Sequence, residues 1–188
     1  MENPRDNRRQ PDNASAIRSA RMVRRLREVL ARGSDPRELF YEFTRVLEQT
    51  FPIRKGLLAL REPNHTRFLA VASWRAGKVR KNLSLRLPTV SSLFEKVAED
   101  GRIYRESFAA FFDGNLLERR LLLDDETQSF VLRPIKYEGR VVALLGYSSD
   151  NADAFASLEE NPLDAVIEMF GELIAKYQAR PAGASPAR

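Results

Sequence analysis

An amphipathic helix near the C-terminal end places the strongest requirement on how this chain can fold. Asn161 is a favoured helix cap, Pro162 suits the first helical position, and apolar residues then recur every three or four positions. A second such helix follows Asp35, where Pro36 and Glu38 complete the pattern of a capping box. The two apolar stripes are Leu163, Val166, Ile167, Phe170, Leu173, Ile174 and Tyr177, and Leu39, Phe40, Phe43, Val46 and Leu47. Both helices need an apolar surface, and one face of an antiparallel sheet can supply it to the two together.

Strand-like runs occupy much of the chain between these two helices. Two β-hairpins are predicted, because in each case two apolar runs flank a few residues that favour turns. The hairpins are 56–61 with 66–74 around Pro63-Asn64-His65, and 128–136 with 140–147 around Tyr137-Glu138-Gly139. Two hairpins between two terminal helices predict an α+β fold.

The segments that separate the hairpins are shorter and more mixed. Residues 75–81 are predicted to form a basic loop, and residues 83–87 alternate between apolar and polar as a half-buried strand does. A helical stripe then ends at Gly101, and residues 103–106 are a short strand candidate. The stripe consists of Val90, Leu93, Phe94 and Val97. The form of residues 107–126 stays open between short helices and loop.

Composition excludes several classes of protein. The chain is 43% hydrophobic and 30% charged, as globular proteins are, and it has no run of about 18 apolar residues that could span a bilayer. Residues 1–11 are polar and charged, unlike a secretory signal. Cysteine is absent from the sequence, which excludes disulfides, thiolate metal sites and cysteine nucleophiles. These features predict a cytoplasmic protein.

The positive charge is concentrated in the first part of the chain. Residues 1–33 contain nine arginines and four acidic residues, which accounts for the whole net charge of +5. A helical stripe runs through this segment as Ile17, Ala20, Val23, Leu26 and Leu30. The helix is expected either to lie on anionic lipid or nucleic-acid phosphate, or to pack with the other terminal helices and those of a second subunit. Arginine without lysine or interleaved aromatic residues is a poor signature for a sequence-reading nucleic-acid binder.

The order of the elements resembles the GAF domain family over about residues 35–179. The segments that carry the resemblance are PRELFYEFTRVLEQTF, GLLALREPNHTRFLAVASW, SSLFEKVAEDGRIYRE and VLRPIKYEGRVVALLGY. In similar proteins the first and last helices cover one face of an antiparallel sheet, and the middle helices roof a ligand pocket on the other. The resemblance therefore implies a GAF-like α+β fold with the N- and C-terminal helices on one face and a ligand-type pocket opposite. PAS domains share much of this architecture.

These observations divide the chain into four parts. The segments are 1–13, a disordered basic N-terminus; 14–33, a basic amphipathic helical arm; 34–180, the GAF-like domain; and 181–188, a disordered tail.

Catalytic chemistry finds little support in the sequence. His65 is the single histidine and lies among turn residues, so an exposed turn residue is favoured over a metal or haem ligand. Asp124, Asp125 and Glu126 could supply a metal site or an acid/base pair, but a solvated acidic loop is favoured. Similar proteins that attach bilins or reduce methionine sulfoxide use cysteine, and the Asn-Lys-x-Asp-type signature of cyclic-nucleotide binders is absent from this sequence. The chain is therefore predicted not to be an enzyme, and no cofactor is identified.

A ligand site is predicted from aromatic residues and one arginine. Three phenylalanines cluster in the segment 107–126, and Arg133 interrupts a strand that otherwise reads as buried. The aromatic side chains either line a pocket or fill the core, and Arg133 either pairs with an anionic ligand or extends from an edge. The candidate ligand-binding residues are Trp74, Phe94, Phe108, Phe111, Phe112 and Arg133.

The function predicted from the sequence is that of a non-catalytic signalling or regulatory domain. It is expected to sense a small molecule or a protein partner and to work on a separate signalling protein. Because similar domains often dimerise through their terminal helices, a homodimer is favoured over binding of the arm to lipid or nucleic acid. The alternative is an interaction module without a ligand, in which the Arg-rich arm binds an acidic partner, nucleic acid or a membrane surface.

Overall fold

The computed structural model describes residues 13–180, with the exception of Ser34, residues 64–66, Ser157 and Glu159. The helices are α1 (Asn13–Arg32), α2 (Pro36–Leu47), α3 (Leu93–Asp100), α4 (Leu116–Leu122) and α5 (Glu160–Gln178), with a short 3₁₀ helix at Ala109–Phe111. The strands are β1 (Lys55–Arg61), β2 (Phe68–Arg75), β3 (Lys78–Arg80), β4 (Leu85–Arg86), β5 (Tyr104–Glu106), β6 (Ser129–Tyr137) and β7 (Arg140–Ser149). The predicted segments 1–13 and 181–188 lie, but for Asn13, outside the described residues, as do Asn64 and His65 of the first hairpin turn.

The described strands form one antiparallel sheet in the order β3-β2-β1-β7-β6-β5, and β4 pairs with β2 beside β3. Both predicted hairpins are present as β1-β2 and β6-β7. In the second hairpin Tyr137 pairs with Arg140, so the turn consists of Glu138 and Gly139, with φ angles of 49° and 75°. Two successive positive φ angles match the right-handed twist of the strands and explain the glycine.

The sheet has two covered faces, and they have different partners. Helices α2 and α5 pack directly on one face, which we call the helix face, and the core there includes Phe40, Phe43, Phe170 and Ile174. Helices α3 and α4 cover the other face, which we call the roof face, over a second core that includes Phe94 and Leu122. Because the opening and closing helices share one face, the predicted α+β arrangement is confirmed.

Helix α1 lies on α2 and α5 and extends the helix-face core outward. Its buried residues Met22, Leu26 and Leu30 belong to the same core cluster as the two helices below. The predicted stripe is wrong at its start, because Ile17 is 68% exposed. Leu26 lies nine positions beyond Ile17, which is 900° at 100° per residue, so their side chains point to opposite sides of the helix. The buried stripe of α1 therefore consists of Met22, Leu26 and Leu30, and the arginines lie beside this stripe and on the outer side with Ile17.

The structure corrects several smaller predictions. Residues 75–81 are not a loop: Ala76 and Gly77 form a tight turn with φ angles of 44° and 79°, and β3 follows at once. The strand predicted at 83–87 is limited to β4. Val90 is 78% exposed and precedes α3, whose cap is Ser92. Asn161 lies inside α5, where Pro162 is tolerated because the first turn of a helix has no internal acceptor for its nitrogen.

Candidate functional site

Two of the predicted site residues belong to the roof-face core. Phe94 is fully buried under α3 and meets the Phe68 ring edge-on, with 6.4 Å between ring centroids. Phe112 is buried against Phe130, with 5.3 Å between centroids. These side chains fill the space between sheet and roof, which is the core alternative of the sequence analysis.

Two others lie at the surface. Phe108 precedes the 3₁₀ helix and Phe111 ends it, and the two side chains are 63% and 66% exposed. Their rings contact each other edge-on at 5.9 Å between centroids. The short 3₁₀ helix turns Phe112 inward and leaves the other two aromatic rings in solvent.

Trp74 and Arg133 lie on the opposite side of the sheet. Trp74 packs on Tyr41 of α2, with 5.6 Å between centroids, and Arg133 forms an ion pair with Asp164 of α5. Strand periodicity accounts for this, because Arg133 shares its face with Val131, which belongs to the helix-face core. The six predicted side chains are therefore spread over two faces and the surface, and they do not line one site.

A groove on the roof face brings together a different set of side chains. It has a volume of about 540 Å³ and lies between the β2-β3 turn, the β3-β4 connection and the C-terminal end of α4. Five of its lining residues are basic: Lys55, Arg75, Lys78, Arg80 and Arg120. The other lining residues are Ser73, Ala76, Leu83, Leu85 and Leu121, together with Trp74, whose ring packs in the helix-face core. The described lining contains no acidic side chain.

Strand register aligns most of these cations. Lys55 is paired with Arg75 across β1 and β2, and Arg75 is paired with Lys78 across the β2-β3 turn. Arg80 is paired with Ser73 one step further along the same face. Since directly opposed residues in antiparallel strands point to the same face, the four basic side chains project together towards α4.

Lys55 forms the floor of the groove and is 8% exposed. Its Nζ donates hydrogen bonds to the carbonyl oxygens of Arg120 at 2.9 Å and Leu123 at 2.6 Å, at the end of α4. The last carbonyls of a helix lack internal donors and carry partial negative charge, so they suit an ammonium group. Burial lowers the pKa of Lys55, a shift that Asp124 opposes and that Arg75 and Arg54 reinforce.

The nearest acidic side chain is occupied by other partners. Asp124 accepts hydrogen bonds from Arg54 Nε at 3.1 and 3.2 Å and from the Thr127 hydroxyl at 2.9 Å, and it lies 3.7 Å from Arg75. Burial acts to raise the pKa of Asp124, but the hydrogen bonds from Arg54 and Thr127 outweigh it, and the pKa is lowered. The favoured solvated-loop interpretation is therefore wrong for Asp124, which anchors the end of the sheet.

The remaining cations face solvent without compensation. Lys78, Arg80 and Arg120 are exposed and form no ion pair with any residue that the structure describes. Clustered cations of this kind raise the free energy of the unliganded protein, and an anion that binds between them relieves the repulsion. The groove thus has the charge and shape to attract a negatively charged group.

The sequence contains a usable signal for this groove. Lys78 and Arg80 alternate around Val79, and a strand of three residues places both on one face. The prediction of a loop at residues 75–81 hides this signal. In a loop, alternating side chains do not point to two defined faces, so the spacing of Lys78 and Arg80 does not place them together.

Metal and membrane features are absent from the part of the chain that the structure describes. No three histidine, aspartate or glutamate side chains there converge closely enough to hold a metal ion. None of the described helices combines the length and the apolar character needed to cross a bilayer.

The fold and the position of the groove define the class of single-sheet α+β domains with a helix face and a roofed face. No protein-family model matches the chain, and no curated protein sequence matches it. Solved structures identify the particular fold: this chain has a GAF-like fold.

Three similar structures illustrate the match. The GAF domain of a phosphoenolpyruvate-protein phosphotransferase from Coxiella burnetii aligns with a TM-score of 0.70 at 18% identity, over 87% of this chain and 96% of that one. The GAF domain of the Acinetobacter phosphoenolpyruvate-protein phosphotransferase aligns with a TM-score of 0.68 at 17% identity, over 92% and 99%. The free methionine-R-sulfoxide reductase from Neisseria meningitidis, in complex with its substrate, aligns with a TM-score of 0.61 at 12% identity, over 90% and 94%. At these identities the comparison establishes the fold alone.

Proposed function

We propose that this chain is a non-catalytic sensory or regulatory domain of the cytoplasm that binds a small anionic molecule in the basic groove. The observation that carries the proposal is the groove itself, whose described lining contains five basic side chains and no acidic one. A concave site of this size is more suitable for a small ligand than for the surface of a partner protein. Two of the similar structures are GAF domains of phosphotransferases, and their presence supports a regulatory role by analogy of fold.

An enzymatic role has weaker support. The similar reductase shows that a GAF-like fold can carry an enzyme, but this sequence has no cysteine to be oxidised in such a reaction. The described groove offers cations and one serine hydroxyl, Ser73, and no carboxylate or imidazole to act as a general base. Binding without chemistry is the function that these groups serve best.

A path from the groove to the helix face supports the signalling part of the proposal. Lys55 at the floor is followed by Gly56, where an added Cβ would lie 3.0 Å from the Tyr147 ring and 3.3 Å from the Phe40 ring of α2. The rings of Phe40 and Tyr147 stack at 6.3 Å, and the Tyr147 hydroxyl lies 3.1 Å from the Thr44 hydroxyl. In such a tightly packed strand, a shift of β1 on ligand binding would be passed to α2.

The homodimer remains part of the proposal, with the terminal helices as its interface. The outer side of α1 is basic, whereas exposed acidic residues lie on α2 and α5. Two copies can therefore pair the basic side of α1 with the acidic sides of α2 and α5 of the second copy. The groups concerned are Arg18, Arg21, Arg24 and Arg27 on α1, and Glu42 on α2, Glu48 at the C-terminal cap of α2 and Glu168 on α5.

Sedimentation of the full chain tests the homodimer. We expect a dimer at about 50 mM salt that dissociates as salt approaches about 0.5 M, because surface charge pairs are screened over a few ångströms there. The triple variant Arg18→Gln, Arg21→Gln, Arg24→Gln should be monomeric at low salt. At about 0.5 M salt, where the wild type is also expected to be a monomer, the two proteins should have the same thermal midpoint. A wild-type monomer at all salt concentrations would contradict the dimer.

The alternative function keeps the arm as the binding surface. Arg18, Arg21, Arg27 and Arg32 point to solvent and form no ion pair with the described residues, which favours an acidic partner. In this alternative the groove is an unused surface and the protein has no small ligand.

Titration with inorganic phosphate, followed by backbone ¹H–¹⁵N chemical shifts, separates the two functions. We expect the largest shifts at the β2-β3 turn and at the end of α4, and Arg80→Gln should weaken phosphate binding by about 5- to 10-fold because one charge-assisted contact is lost. Arg67→Gln is the matched control, since Arg67 is an exposed arginine outside the groove and should leave affinity unchanged. Shifts concentrated on α1, or equal effects of the two variants, would overturn the groove and support the alternative.

A further inference from the structure

The cations of the groove are too widely spread to serve one small anion. Lys55, Arg75 and Lys78 lie side by side on three neighbouring strands, so their α-carbons span about 10 Å at the usual spacing of about 5 Å between strands. Arg80 lies two residues along β3 from Lys78, which adds about 6.6 Å in the perpendicular direction. A single phosphate or carboxylate group can contact only part of this array.

The charge of the array points to the class of anion. Lys78, Arg80 and Arg120 have no acidic partner among the described residues, and Arg75 shares Asp124 with Arg54. Apart from Lys55, whose ammonium already donates to two carbonyl oxygens, between three and four positive charges are thus uncompensated. A phosphoryl monoester carries about −1.5 to −2 at neutral pH, so two phosphoryl groups match this charge, whereas a dicarboxylate leaves one or two cations unpaired.

An apolar wall borders the cations on one side. Leu83 from the β3-β4 connection, Leu85 from β4 and Leu121 from α4 line the same groove, and Leu85 is 40% exposed. When an apolar part of a ligand covers an exposed leucine, the free energy of the complex is lowered, because apolar surface is removed from water. The groove volume of about 540 Å³ leaves room for an organic body beside the charged groups.

We propose that the ligand of the groove is an organic molecule with two phosphoryl groups, either as a diphosphate ester or as a bisphosphate. In this arrangement Lys78 and Arg80 on β3 contact one phosphoryl group. Arg75 and Arg120 contact the other, above the buried Lys55 ammonium. The proposal rests on the proposed function, because it specifies the class of anion that the same groove takes.

Calorimetric titration of the full chain with simple anions tests the proposal. The probes are inorganic pyrophosphate, inorganic phosphate and succinate, at equal ionic strength in a buffer without phosphate. We expect pyrophosphate to bind at least about tenfold more tightly than phosphate, and succinate to bind no more tightly than phosphate, because only pyrophosphate reaches both groups of cations. The double variant Lys78→Gln, Arg80→Gln should remove most of the preference for pyrophosphate, while Arg67→Gln retains it.

The outcomes separate the two proposals. If phosphate and pyrophosphate bind equally well and Arg80→Gln weakens both, the groove binds anions but the two-phosphoryl class is wrong. If succinate binds as tightly as pyrophosphate, the class is also wrong. If none of the three anions binds, or if the double variant leaves every affinity unchanged, both the proposed function and this inference are overturned.

Discussion

Replacing Gly171 with alanine is expected to destabilise the protein by about 3 kcal/mol or more, as overpacking at a rigid contact does. Gly171 is buried in α5, and a Cβ placed there would lie 2.1 Å from the carbonyl oxygen and 2.9 Å from the carbonyl carbon of Lys136 in β6. Both atoms belong to the backbone of a strand that is hydrogen-bonded to β7, so neither can move aside alone. Alanine is favoured over glycine in a helix by about 1 kcal/mol, which the steric conflict exceeds.

Urea unfolding of the two proteins measures this effect, with Gly77→Ala as the control. Gly77 has a φ of 79° and open space where a Cβ would lie, so its substitution adds backbone strain without a clash and should cost about 1 kcal/mol. A Gly171→Ala protein as stable as the wild type would show that α5 does not approach β6 as closely as described.

Replacing Glu118 with alanine is expected to cost about 3 kcal/mol, because several buried donors lose their acceptor at once. The Glu118 side chain is fully buried, and it accepts hydrogen bonds from the Ser92 hydroxyl, from the Leu93 amide at 3.0 Å and from the Asn115 amide at 3.3 Å. Ser92 caps α3 and Asn115 caps α4, so one carboxyl group joins the first turns of both roof helices. The loss should appear in thermal or urea unfolding, and the roof should become more mobile in hydrogen exchange.

Two further variants control this prediction. Glu118→Gln keeps an acceptor oxygen and should cost less than half as much, and Glu99→Ala removes an exposed carboxylate of α3 and should be nearly neutral. Equal losses for Glu118→Ala and Glu99→Ala would contradict the described hydrogen bonds.

The pH dependence of stability gives a separate test of the same residue. Burial raises the pKa of the Glu118 carboxyl, against the opposing hydrogen bonds from Ser92 and the backbone. Between the ordinary pKa of about 4.3 and this raised value the folded state binds more protons than the unfolded state. The wild type should therefore gain stability relative to Glu118→Gln as pH falls through this window, and a gain as pH rises would contradict the direction of the shift.

Local signals explain the parts of the fold that could be predicted from sequence. The second hairpin was visible because Glu138 and Gly139 separate two long apolar runs, and only a tight turn fits between them. The end of α3 at Gly101 was visible because a left-handed residue, with a φ of 61°, closes the helix. In both cases the residues that determine the structure are adjacent in sequence.

The candidate site could not be predicted, because its residues meet only through the register of distant strands. Lys55 and Arg120 are far apart in sequence, and nothing local indicates that the end of α4 lies above β1. Arg133 looked like a ligand contact, but its partner Asp164 lies on a helix that begins more than twenty residues later. The aromatic residues predict a pocket, but Trp74 of β2 belongs to the helix-face core and Phe94 of α3 to the roof-face core. This division depends on how the elements pack in three dimensions, which the local sequence does not indicate.

The seating of α1 has a mechanical consequence. Leu26 and Leu30 are almost completely buried against α2 and α5. The arginine-bearing helix α1 is therefore packed on the domain and is not a flexible linker. A molecule that grips those arginines would pull on α2 and α5 directly, and a load applied there would reach the central sheet without passing through a linker. Binding at α1 would therefore act mechanically on the whole helix face of the domain.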